Sequence, residues 1–158
     1  MITDRHLRQT IDDLRSLERK CFASRSRFAL LAAVIELYVQ LRRTKQAKKA
    51  ATLIVKLFGL RSKKGTHPIR VIIDATSSAD NKTKSRWTRA LRYAWYKRKT
   101  WRDLKTFLRE NGGPAGCAEQ FAAVHPKARY PGCIVYRRPG NGRPYLIVHK
   151  AASVGSQS

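Results

Sequence analysis

The sequence predicts a mainly α fold, a helical bundle followed by a C-terminal β-hairpin. Three observations point there. Apolar residues recur at three- and four-residue spacing through most of the first 124 positions. Candidate caps and glycine stops punctuate these stretches at helix-like lengths. Near the end, CIVYRRPGNGRPYLIVH (133–149) sets two β-rich runs around a turn-forming PGNGRP. With 158 residues and a 42% apolar fraction, the chain can bury one real core, which argues against disorder throughout. The expected organisation is a helical scaffold over 1–60, a basic linker with a short element over 61–81, a basic helical region with the hairpin over 82–150, and a disordered tail over 151–158.

The elements follow in order. Thr3 or Asp4 caps a first helix, in which Leu7, Ile11, Leu14, Leu17 and Cys21 form one apolar stripe. Ser24 or Ser26 caps a second, apolar nearly all round through Leu41, as suits a central buried helix. A third is expected from Thr44 to Phe58, stopped by Gly59. Its Ala47, Ala50, Ile54 and Leu57 would face inward, with Lys45, Lys48, Lys49 and Lys56 outward. No breaker divides the second helix from the third, so one long bent helix is the alternative. RSKKGTHP (61–68) reads as a linker. IRVIID (69–74) carries strand-forming β-branched residues, but Pro68 in a first turn and helical surroundings favour a helix. Ser77 to Asp80 supplies caps for the next helix, on which Trp87, Leu91, Ala94 and Trp95 share a face. Thr100 caps another, with Trp101, Leu104, Phe107 and Leu108 inward, and Asn111, Gly112 and Gly113 end it in a tight turn. Pro114 opens PAGCAEQFAAV, stopped by His125 and Pro126.

Charge sets this chain apart from an ordinary globular protein. Thirty-four Lys and Arg stand against ten Asp and Glu, a net charge of +24. Self-repulsion of that size costs stability, and a polyanionic partner relieves it. The surplus is uneven: residues 1–40 carry seven basic and five acidic side chains, 41–70 ten basic and no acidic, and 82–105 ten basic against Asp103 alone.

The basic aromatic helix holds the clearest signal. Arg86, Arg89, Arg92, Lys97, Arg98 and Lys99 are spaced to neutralise phosphates and release counterions. Tyr93 and Tyr96, where exposed, offer faces for unpaired bases. Trp87, Trp95 and Trp101 sit at core spacing and are expected inward. Lys45, Lys48 and Lys49 extend the phosphate track, and Arg137, Arg138 and Arg143 would stand on the hairpin. From residue 82 onward the order helix, helix, Gly-Gly turn, helix, hairpin is that of a winged helix-turn-helix. The helix meant for the groove, PAGCAEQFAAV, carries Glu119 and no Lys or Arg, so it lacks donors for phosphates and base edges. An αα-hairpin packed in a core fits the same order.

Other classes fit less well. Cys21, Cys117 and Cys133 lack ligand spacing, so a zinc site or disulfide framework is not expected and a reducing cytoplasm is (nucleoid-associated, if the source is bacterial). FALLAAVIELYVQL (28–41) contains Glu36 and falls short of a membrane span, and the alanine-rich face of 44–58 argues against membrane insertion. The start of the chain shows no secretory signal pattern. IIDATSSADNKTKS (72–85) lacks a glycine-rich phosphate loop or a second metal-binding carboxylate, and the four histidines stand alone. The expectation is therefore a non-enzymatic nucleic-acid-binding protein without cofactor or metal, duplex DNA favoured and RNA close behind. A small basic adaptor or inhibitor for an acidic protein, or a ribonucleoprotein component, is the alternative.

Overall fold

The computed structural model describes residues 3–23, 27–63, 65–125, 134–136 and 145–147. Seven α-helices run in order: α1 (Asp4–Ala23), α2 (Phe28–Arg43), α3 (Ala47–Leu57), α4 (Pro68–Thr76), α5 (Asn81–Tyr96), α6 (Leu104–Glu110) and α7 (Gly113–Val124). Two three-residue strands, β1 (Ile134–Tyr136) and β2 (Tyr145–Ile147), pair antiparallel with Val135 opposite Leu146. The chain divides into two compact units, residues 1–121 and 122–158, and the first holds the helical core.

The short helix α4 is the hub of that core, packed against α1, α2, α3 and α5. Ile69, Val71, Ile72, Ile73, Ala75 and Thr76 are all buried on it. Its β-branched side chains disfavour a helix by a few tenths of a kcal/mol each, whereas burying each large apolar one contributes about 1.5–3 kcal/mol. Burial wins, and the ends are prepared for it. Pro68 occupies the first turn, where its missing N–H is no loss, and His67 Nδ1 accepts the Ile69 N–H at 3.2 Å. At the other end Arg15 Nε donates to the Ala75 carbonyl at 2.7 Å. Beside it the buried Glu18 carboxylate accepts from Ser77 Oγ, the Ser78 N–H and Ser78 Oγ at 2.9, 2.9 and 3.1 Å. Three donors on one oxygen offset the cost of burying that charge, so α1 is fastened to the α4–α5 connection. Asp80 then caps α5, accepting the Lys82 and Thr83 N–H groups at 2.8 and 3.0 Å.

The expected stripe of α1 is buried at Leu7, Ile11, Leu14 and Cys21, with Leu17 half-buried. Residues 69–74 are helical, as Pro68 suggested. Two boundaries differ from the sequence reading. The second and third helices are separate, as expected, but the third starts at Ala47 rather than Thr44, because the chain turns at Lys45 in the left-handed region (φ 57). The Gln46 N–H then returns to the Leu41 carbonyl at 2.8 Å, closing α2. That turn usually carries glycine, as Gly59 does at the end of α3 (φ 59), so its sequence signal is missing. The sixth helix starts at Leu104 rather than Trp101, with Asp103 as its N-cap. The cap positions Ser24 and Ser26, the turn PGNGRP (139–144) and the tail lie outside the described residues. The mainly helical class is what the structure carries.

Candidate functional site

α5 ends on the same device as α2. Arg98 takes the left-handed conformation (φ 54) and the Lys99 N–H returns to the Ala94 carbonyl at 3.0 Å. The chain then needs Thr100–Asp103 to reach α6, and Thr100 Oγ1 donates to Asp103 Oδ2 at 2.7 Å to hold that turn. Between it and the C-terminal half of α2 lies a cleft of about 1000 Å³. Small-molecule sites span roughly 300–1,000 Å³, so this one is at their upper end. Glu36, Val39, Gln40, Arg42 and Arg43 form its α2 wall; Trp95, Tyr96 and residues 98–103 form the other.

Two of the three tryptophans expected inward are in this wall instead. Trp87 is buried, 6% exposed, with the Arg27 guanidinium 5.4 Å from its ring centroid. Trp95 is 37% and Trp101 43% exposed, and Tyr96 53%. The reason is the helix boundary: Trp95 falls in the last turn of α5, and Trp101 precedes α6 and so misses its inner face. Trp95 is nonetheless fixed, edge-on to Tyr38 at 5.5 Å and 82°, a favourable aromatic geometry. Tyr38 in turn packs on the His67 ring at 5.4 Å. Burial above all, then Arg92 and Arg42, pushes the His67 imidazole down to about 4, so this support beneath the cleft is neutral near pH 7.

The electrostatics are lopsided. Arg42, Arg43, Arg98, Lys99 and Arg102 face two carboxylates, Glu36 and Asp103, across the lining. The Thr100 hydroxyl, with Lys99 and Arg102 nearby, holds the Asp103 carboxyl below its ordinary value. Among the described residues none of those five cations forms an ion pair; the pairs Arg15–Asp12, Arg70–Asp74 and Lys84–Asp74 lie elsewhere. Arg102 sits 5.3 Å from the Trp101 ring centroid.

The residues expected to bind fall into groups. Lys97, Arg98 and Lys99 are exposed at the end of α5, and Lys45, Lys48 and Lys49 are exposed on and before α3. Arg86, Arg89 and Arg92 are half-buried: Arg89 Nε donates to the Ser85 carbonyl at 3.4 Å, and Arg92 lies 4.6 Å over the Phe121 ring. Tyr93 is 6% exposed and packs on Phe107 at 5.7 Å, so its face is closed to a base. Arg137, Arg138 and Arg143 lie outside the described residues. Sequence reasoning missed Glu36, Arg42, Arg43 and Arg102 as neighbours, because only the packing of α2 on α5 and α6 brings them together. Among the described residues no three His, Cys, Asp or Glu side chains gather to hold a metal, and no helix is long and apolar enough to cross a membrane. No protein-family model matches the chain, and no curated protein or solved structure is significantly similar to it.

Proposed function

We propose that this chain is a non-enzymatic nucleic-acid-binding protein that grips the phosphate backbone at the cleft between α2 and the α5–α6 turn. The observation that carries this reading is the convergence, beside exposed aromatic rings, of five cations that form no ion pair among the described residues. An ordinary solvated surface mixes both signs of charge; a polyanion track does not, and counterion release supplies its affinity. Lys97 lies next to this track, and the lysines at 45, 48 and 49 add to the field.

A winged-helix mode of groove reading has weaker support. α7 buries Cys117, Ala118 and Phe121 and exposes Glu119, Ala122 and Ala123, so it presents no cation to a groove. The best-buried candidates for chemistry also suit binding better than catalysis. Burial pushes the Cys117 thiol up to about 11, which removes its nucleophilic thiolate near neutral pH, and His67 Nδ1 is occupied as a helix cap.

Fluorescence anisotropy of the full chain against labelled DNA and RNA, at a series of salt concentrations, tests the reading. Five phosphate contacts give a slope of log K on log salt of about −3.5 for a single strand or about −4.5 for duplex DNA. Absence of binding at about 50 mM salt would overturn the proposal and leave an acidic protein as the partner.

A further inference from the structure

Phosphate binding explains the cations of the cleft but not its indoles. The fold has room to bury a tryptophan, as Trp87 shows, yet Trp95 and Trp101 remain 37% and 43% exposed. Large exposed rings that share a rim with cations mark a recognition surface. Trp95 is braced edge-on against Tyr38, itself braced by His67, so its ring is held in place before any ligand arrives. Trp101 stands on the turn that Thr100 and Asp103 tie, with the Arg102 guanidinium over its ring at 5.3 Å from the centroid.

We propose that the cleft takes unpaired nucleotides of a single strand, with bases stacked on Trp95 and Trp101 and phosphates on Arg42, Arg43, Arg98, Lys99 and Arg102. This rests on the nucleic-acid reading above and narrows it. In a duplex, base faces are covered by their neighbours and a protein in a groove meets only edges and phosphates. Exposed indoles gain nothing from that, whereas a splayed base gives each of them a flat apolar partner. A pocket between walls also suits a strand that can bend into it better than a stiff duplex. Glu36 on the α2 wall repels a phosphate placed beside it and leaves that part of the lining to base or sugar. Because every base has a π-face, the preference among bases is weak.

The test compares a labelled oligo(dA) with the same strand annealed to its complement, using the full chain, Trp101→Ala and Trp101→Phe. The single strand is expected to bind more tightly than the duplex. Trp101→Ala weakens single-strand binding by about 5- to 150-fold, weakens duplex binding much less, and keeps the salt slope; Trp101→Phe retains most of the affinity. Intrinsic tryptophan fluorescence of the unaltered protein provides a second reading that needs no variant to fold: single strand quenches it and duplex does not. Equal loss on both ligands, or none on either with no quenching, overturns the stacking site while leaving the phosphate-binding reading in place. If the unaltered protein binds no nucleic acid but captures a glutamate-rich peptide through the same cations, both readings fall together.

Discussion

The chain turns at the end of α2 on Lys45 and at the end of α5 on Arg98, the two non-glycine residues with positive φ among the described residues (57° and 54°). Each turn is closed by an N–H that reaches back five residues, Gln46 to Leu41 and Lys99 to Ala94. After Lys45 the chain enters α3 at once and buries Ala47. After Arg98 it travels through Thr100–Asp103 before α6 begins, and that detour exposes Trp101 and completes the cleft. The same local device thus serves packing at one helix end and the wall of a cleft at the other. Two basic clusters of similar appearance need not have similar roles.

Charge removal gives the largest expected contrast. Arg42→Ala, Arg43→Ala and Arg98→Ala together should weaken binding about 100-fold at about 0.1 M salt, each contact contributing about 0.7 log unit there, and should reduce the salt slope by about 2. The same number of charges removed at Lys45, Lys48 and Lys49 should cost no more than about 3-fold, since these side chains do not line the cleft and act on its phosphates only through a salt-screened field. Equal losses in anisotropy titrations would show that the two clusters form one surface.

The next effect concerns the support beneath the α5 end. The folded state holds His67 near 4 against an ordinary value of 6.5. Between those values the unfolded chain binds the proton and the folded protein does not, so stability is full above pH 6.5 and falls as pH drops toward 4. Discounting for a ring that is only partly buried, the loss is about 1–2 kcal/mol. The lowered carboxyls, Asp80 and Asp103, titrate below this window. His67→Asn keeps a capping acceptor for the Ile69 N–H and should flatten the pH dependence of urea unfolding across that range; an unchanged profile would exclude His67 as its source.

Glycine at each turn separates strain from function. Relief of left-handed strain, about 1–2 kcal/mol, less the added freedom of the unfolded chain, about 0.5–1 kcal/mol, leaves a gain of about 0.5–1 kcal/mol for Lys45→Gly and Arg98→Gly alike. Only Arg98→Gly should also reduce the salt slope, by about 0.7. Thermal melts paired with titrations read both quantities, and a slope change at Lys45→Gly would contradict the difference drawn between the turns.

These turns also mark where the sequence was legible and where it was not. The stripe of α1, the helical character of 69–74 and the outward lysines of α3 follow from periodicity and from Pro68, which act locally. The break at Lys45 carries no glycine, so a third helix was expected from Thr44 rather than Ala47, and one long bent helix stayed open as the alternative. The tryptophans were misplaced for a related reason: spacing assigns a face only within a helix, and Trp101 stands three residues before α6 starts. Arg42, Arg43 and Arg102 were visible as charges but not as a site. Their convergence depends on α2 packing against both α5 and α6, a long-range contact that composition does not encode.

The smallest expected effect bears on how the cleft is organised. Glu36 contributes a half-buried carboxylate to a wall that otherwise carries Arg42 and Arg43, and among the described residues it makes no ion pair. A phosphate drawn to those arginines meets repulsion from it. Glu36→Gln removes the charge with little change of shape, so nucleic-acid binding should tighten about 2-fold, in keeping with about 0.2–1 kcal/mol for an exposed charge contact. The gain should shrink as salt rises, because the repulsion is screened. It should disappear in a background lacking Arg42 and Arg43, whose phosphates are the ones Glu36 opposes. A gain that persists in that background would place the phosphate path along the α5–α6 turn alone, making α2 a wall for bases rather than for backbone.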